Sequence, residues 1–177
     1  MDEAVILFES AIDWLKQEYA SIHFFVERDV VWTIQKYLAA AIKDQSLPYS
    51  VYNDYPILRG ERRSVCTDLA IIDSQGVVEV AAEIKYEPAH RRDDIWPSKF
   101  PVVFWGREGV EKDIERVQNY VNAGRAKAAY SVFIDEGSFF RHREAPLGSN
   151  WIDWEVRVVP QDRVSVLFFV AQAAPDS

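Results

Sequence analysis

Apolar positions along the chain alternate between a period near three and a half residues and a period of two. From Ala4 to Ala20 the spacing of Ile6, Ile12, Leu15 and Tyr19 predicts a first helix. A second, stronger one is predicted from about His23 to Ile42, where Phe24, Val31, Ile34, Leu38 and Ala41 fall on one stripe. Pro48 ends helical character, Tyr49–Tyr52 reads as a short strand, and Gly60 with Glu61, Arg62 and Arg63 marks a polar turn. Two β-rich runs follow, Ser64–Asp73 and Val77–Tyr86, separated by Ser74-Gln75-Gly76, a hairpin signal. Pro88 to Gly109 is irregular. Val110, Ile114, Val117 and Val121 then predict an amphipathic helix over Glu111–Asn122, stopped by Gly124. Ala128–Ile134 reads as a strand, and Trp154–Val159 with Val164–Val170 as a last hairpin around Pro160-Gln161-Asp162. No repeat or linker interrupts this order. It describes one mixed α/β (α+β) domain over residues 1–177, a central sheet flanked by helices.

Composition narrows the class. With 177 residues, 49% of them hydrophobic, the chain can bury a core without disulfides or structural metals. Its single cysteine, Cys66, excludes an intramolecular disulfide and a Cys-rich zinc site, and fits a reducing compartment. The apolar run Ala4–Phe8 is bracketed by Asp2, Glu3 and Glu9 with no basic stretch before it, so neither a signal peptide nor a membrane span is expected. The chain reads as cytoplasmic. A net charge of −8 excludes coating nucleic acid or an anionic membrane by bulk attraction, but leaves room for a local site.

Familiar phosphate-loop, dinucleotide and nucleophile-elbow motifs are absent. His23, His90 and His142 are isolated and read as solvated. The informative residues are acids in apolar places. Glu27 lies on the apolar stripe of the second helix, where a carboxylate is costly unless a charge or hydrogen bonds answer it. A local ion pair with His23 or Arg28 is the plain alternative. Asp68 interrupts Val65-Cys66-Thr67-Asp68-Leu69-Ala70-Ile71-Ile72, a strand pattern covered on both faces in which Asp is disfavoured. In the next strand Glu83 and Lys85 share one face and Ile84 takes the other. The Glu-x-Lys triplet alone carries no weight, because chance supplies about one acid-x-Lys in a chain of this composition. Register decides its meaning. A two-residue Gln75-Gly76 turn sets Asp68 directly opposite Glu83, with Cβ atoms about 4.5–5.5 Å apart. A four-residue loop keeps them on one face along a diagonal, and a three-residue loop separates them. Two facing carboxylates repel unless a cation sits between them. Together with water and a substrate phosphate they are a usual way of holding Mg²⁺, which Lys85 could assist; a buried Asp–Lys–Glu triad without metal is the structural alternative.

Glu27 on an early helix, then Thr67-Asp68, then Glu83-Ile84-Lys85 resemble the PD-(D/E)xK nuclease superfamily, with its restriction-endonuclease-like core. The core order of helix, three-strand meander, helix and strand corresponds to about residues 22–135, leaving an extra N-terminal helix and a C-terminal β-hairpin. The resemblance implies a Mg²⁺ site, Mn²⁺ substituting, ligated by Asp68, Glu83 and the Ile84 backbone carbonyl. Lys85 would act on the attacking water, and Glu27 would reach the metal through water or help with a second ion. It also implies hydrolysis of DNA rather than RNA, without a covalent intermediate, leaving 5′-phosphate ends. Thr67 stands where the motif has proline, a loose position in the superfamily.

Residues 59–92 hold six basic and six acidic side chains, so this window is neutral in an acidic chain. Arg62, Arg63, Arg91, Arg92, Lys112 and Arg116 are the expected substrate contacts, although the polar side of the third helix (Lys112, Asp113, Arg116, Asn119) also reads as a solvated face. Basic and aromatic residues interleave again through Trp96, Lys99, Phe100, Trp105 and Arg107, and in Phe139–Arg143, as in loops that grip nucleic acid; a covered core or a dimer face gives the same pattern. With no separate recognition domain visible, a homodimer or a partner subunit is compatible with the chain. Two rival readings stand beside the nuclease: the same fold used as a non-cleaving binding or scaffold subunit, which the acidic charge favours, and an unrelated α/β interaction protein whose buried acids form a structural network.

Overall fold

The computed structural model describes residues 2–58, 65–90, 100–156 and 163–173. Helix α1 spans Glu3–Glu18 and is capped by Asp2, whose carboxylate accepts the Ala4 N–H at 3.1 Å. Its core face is Ala4, Leu7, Phe8, Ala11 and Leu15, whereas Ile6, placed on that face by periodicity, is 46% exposed. After a 3₁₀ turn at Tyr19–Ser21, helix α2 spans Glu27–Asp44, starting later than the predicted His23. Asp29 explains the late start. Its Oδ2 accepts the N–H groups of Phe25 and Val26 at 2.8 and 3.0 Å, offering the backbone a cap in place of a further helical turn. Phe24 still reaches the core from outside the helix, against Tyr19 and Tyr86.

Six strands form one mixed sheet: β1 (Tyr49–Pro56), β2 (Cys66–Asp73), β3 (Val78–Glu87), β4 (Ala128–Asp135), β5 (Ser149–Trp154) and β6 (Val164–Gln172). Their order is β1-β2-β3-β4-β6-β5, with β3 and β4 parallel and every other pair antiparallel. Helix α3 (Val110–Asn122) makes the crossover between β3 and β4. Helices α1 and α2 cover one sheet face through Leu69, Ile71, Val80, Ala82 and Ile84. Helix α3 covers the other through Ala70, Ile72, Ala81, Ala129 and Phe133, using Val110, Ile114 and Val117.

Two strands differ from expectation. β1 extends four residues past the predicted Tyr52, as a largely exposed edge strand whose polar Asn53 and Asp54 hide its period. β5 ends at Trp154 where the last hairpin was predicted to begin, because its outer positions Asn150 and Ile152 face solvent and leave no apolar run to read. Residues 157–159 of the predicted strand, the predicted turn at Pro160-Gln161-Asp162 and the polar turn at Gly60-Glu61-Arg62-Arg63 lie outside the described residues.

The β2–β3 connection is longer than two residues. Asp73 Oδ1 accepts the N–H groups of Gln75 and Val77, both at 2.8 Å, and Gly76 adopts φ +82°. Ile72 pairs with Val78 but Ile71 with Val80, so Glu79 is an extra, bulged residue. That one residue restores the alignment a two-residue turn would produce: Ala70 faces Ala81 and Leu69 faces Ala82.

The start of α3 depends on Gly109. Phe104 O accepts the Val110 N–H and Trp105 O accepts the Glu111 N–H, both at 3.0 Å, so the loop lies directly against the first helical turn. A Cβ at Gly109 would stand 1.6 Å from Phe104 O. Gly109→Ala should therefore cost about 3 kcal/mol or more, read as a loss of thermal stability, because a backbone carbonyl cannot yield as a flexible side chain can.

Candidate functional site

The continued register brings Asp68 and Glu83 together on the α3 face of the sheet. Asp68 follows the Ala70–Ile72 side of β2, and Glu83 and Lys85 follow the Ala81 side of β3. Asp68 Oδ2 accepts the Ile84 N–H at 2.7 Å, which ties the acid to the backbone of the residue between Glu83 and Lys85. On the opposite face Thr67 Oγ1 donates to the Ala82 carbonyl at 2.8 Å and closes the same end of the ladder.

Helix α3 supplies the other wall. Asp113, Arg116 and Tyr120 recur at three- and four-residue steps, so they form one stripe toward the sheet. Arg116 Nη1 lies 3.0 Å from Glu83 Oε2 and 3.4 Å from Asp113 Oδ1, and its Nη2 donates to the Cys66 carbonyl at 2.8 Å. Tyr120 Oη donates to Glu83 Oε1 at 2.7 Å. Lys85 Nζ is 3.3 Å from both Glu27 Oε2 and Asp113 Oδ2.

Glu27 thus joins the site from across the sheet. It is the first residue of α2 and partly exposed, not an inward acid on the apolar stripe, and its partner is Lys85 instead of His23 or Arg28. Arg116, expected on substrate, is engaged with Glu83. Lys112 is exposed on the outward side of α3, and Asp113, read with it as solvated, is buried. Arg62, Arg63, Arg91 and Arg92, like Trp96 and Lys99, lie outside the described residues. All three histidines are exposed.

Four carboxylates therefore share two cations. Burial pushes the Glu83 carboxyl up to about 8, with the Asp68 charge adding and Arg116 and Tyr120 opposing. Burial also raises Asp68 and Glu27, against the lowering by the Ile84 N–H at Asp68 and by Lys85 at Glu27. For Lys85 burial works against the charge, but Glu27, Asp113 and Asp68 outweigh it and lift the ammonium to about 12. The three acids thus favour the ammonium form of Lys85.

A second group of acids secures the loops at the C-terminal ends of β3 and β4. Glu87 accepts the N–H groups of Val102 and Val103 at 3.1 and 2.7 Å. Asp135 accepts those of Phe139 and Phe140 at 3.0 and 2.7 Å. Glu136 accepts from the Tyr19 and Tyr86 hydroxyls and from the Ala89 N–H. Acidic residues closing the strands Val78–Glu87 and Ala128–Asp135 were the available signal. No described helix is long and apolar enough to cross a membrane. No family model and no curated protein matches the sequence.

Proposed function

We propose that this chain is a Mg²⁺-dependent nuclease of the PD-(D/E)xK type that hydrolyses phosphodiester bonds of DNA, with Mn²⁺ able to substitute. The observation that carries the reading is the meeting of Asp68, Glu83 and Lys85 on one face of β2 and β3, with Glu27 reaching Lys85 from α2. The order of helix, antiparallel three-strand meander, crossover helix and parallel strand supports it.

The donor set suits a hard cation. Among the described residues no three acids, histidines or cysteines form a ready-made cage. Mg²⁺ does not require one, since it commonly binds one or two carboxylates and completes its shell with water and phosphate. Glu83 already accepts one contact at each oxygen, and each carboxylate oxygen has a further lone pair. Asp68, Glu83 and the Ile84 carbonyl would hold the ion. When bound, such an ion lowers the pKa of its water and neutralises charge on a phosphate. Lys85, in contact with Glu27 and Asp113, presents positive charge to the phosphate as negative charge builds there. Arg116, held on Glu83, adds a second positive charge beside Lys85. Target choice then falls to the loops, to self-association or to a partner subunit.

The Arg116–Glu83 pair also supports a second reading, a non-cleaving binding or scaffold subunit of the same fold, because it gives Glu83 a cation of its own. Calorimetric titration with Mg²⁺ and with Mn²⁺ separates the two. The nuclease predicts saturable binding that is lost in Asp68→Ala, followed by cleavage of single-stranded, duplex or branched DNA. Absence of binding at millimolar metal, with and without DNA, would move the protein to the scaffold reading.

A further inference from the structure

Asp113 is 3% exposed, it belongs to neither the Asp68–Glu83 pair nor the Glu-x-Lys triplet, and it touches both cations of the site. Its Oδ2 is buried and accepts no hydrogen bond among the described residues, although Lys85 Nζ lies 3.3 Å away. Its Oδ1 meets Arg116 Nη1 at 3.4 Å. Both separations exceed the roughly 2.7–2.9 Å of a tight charge-assisted hydrogen bond. An under-bonded charge in the interior is costly. The contacts are long because Asp113 faces two cations that each have a nearer or second commitment: Arg116 to Glu83 at 3.0 Å and to the Cys66 carbonyl at 2.8 Å, and Lys85 to Glu27 at 3.3 Å.

We infer that Asp113 is a positioning residue of this site, holding the Lys85 ammonium beside the Asp68–Glu83 pair while aligning Arg116 on Glu83. The inference rests on the nuclease reading for its consequence in catalysis, but the positioning itself can be measured without a reaction. Of Lys85's two anionic partners, Glu27 is 37% exposed at its side chain and Asp113 only 4%. Water competes for Lys85 at Glu27 far more than at Asp113, so Asp113 is the partner that orders it.

The test uses protein labelled with ¹³C at the lysine ε-carbons, the Lys85 signal being assigned by its absence in Lys85→Arg. In the wild type that signal should stand apart from those of the exposed lysines, with inequivalent methylene protons. Asp113→Asn should collapse it into the mobile lysines, whereas Glu27→Gln should leave it distinct. An unchanged Lys85 signal in folded Asp113→Asn would overturn the proposal. If the amide is not accommodated, Asp113→Ala replaces it in the same comparison. In the cleavage assay Asp113→Asn should lower kcat about 100-fold with KM and Mg²⁺ affinity within about threefold, and Asp113→Glu should recover part of the loss. A loss confined to KM, or no loss, would also overturn it. A wild type that cleaves nothing would discard the reaction and leave the Lys85 spectrum to decide the positioning.

Discussion

Asp68→Asn should abolish metal-dependent DNA cleavage, by about 1,000-fold or more, while the protein stays folded. The amide oxygen can still accept the Ile84 N–H that Asp68 Oδ2 accepts at 2.7 Å, so the β2–β3 junction keeps its bond. What disappears is one negative charge from a site whose remaining acids are Glu27, Glu83 and Asp113. Burial already raises the Asp68 pKa, meaning that the folded protein disfavours that charge in the absence of a metal ion. Its removal should leave thermal stability within about 1 kcal/mol of the wild type, or above it. A structural acid would behave the opposite way, losing stability and activity together. Unfolding traces of the two proteins, set beside single-turnover cleavage with Mg²⁺, decide between them. Retained cleavage in folded Asp68→Asn would remove this residue from the reaction.

Stability should fall as pH rises from about 4.5 to 8, and the fall should be large. Burial lifts Glu87 from its ordinary 4.5 to about 7, against the lowering by the Val103 and Val102 N–H groups. Asp135 is raised to about 6 and Glu83 to about 8, burial again leading. In the unfolded chain each releases its proton near the ordinary carboxylate value. Between that value and the raised one the folded protein holds more protons, so stability is fully present below the ordinary value and is lost as pH climbs through the raised one. For Glu87 alone this is on the order of 3 kcal/mol. Urea midpoints measured from pH 4.5 to 8.5 should decline over this range, and Glu87→Gln should flatten the part of the decline below pH 7. Saturating Mg²⁺ at pH 8 should restore stability in the wild type, since a ligand of the folded state adds to it by mass action. A flat profile in the wild type would contradict the burial of these carboxylates as charged groups.

The main elements were legible because their apolar periods are strong and local. Val110, Ile114 and Val117 mark one side of α3, and Leu69 to Ile72 with Val80 to Ala82 mark strands covered on both faces. Asp68, Glu83 and Lys85 were legible for the converse reason: charges in such strands contradict the local pattern and so stand out. Where a polar group acts on the backbone, the period misled. Asp29 delays α2 past Phe24, and the exposed outer positions of β5 conceal a strand.

By itself, then, the chain determined its elements, the faces of its strands and the acids that conflict with them, all of which follow from bonding and burial within a few residues. Only the tertiary structure decided what answers those acids. The bulge at Glu79 fixes the alignment near Asp68. The crossover from β3 through α3 carries Asp113, Arg116 and Tyr120 over Glu83 and Lys85, and the approach of α2 gives Lys85 to Glu27. On α3 those residues occupy helical positions that a solvated face would fill with the same residue types. Their side becomes an inner one only when the sheet lies beneath it, because the burial that sets their charge and contacts comes from residues far away in the chain.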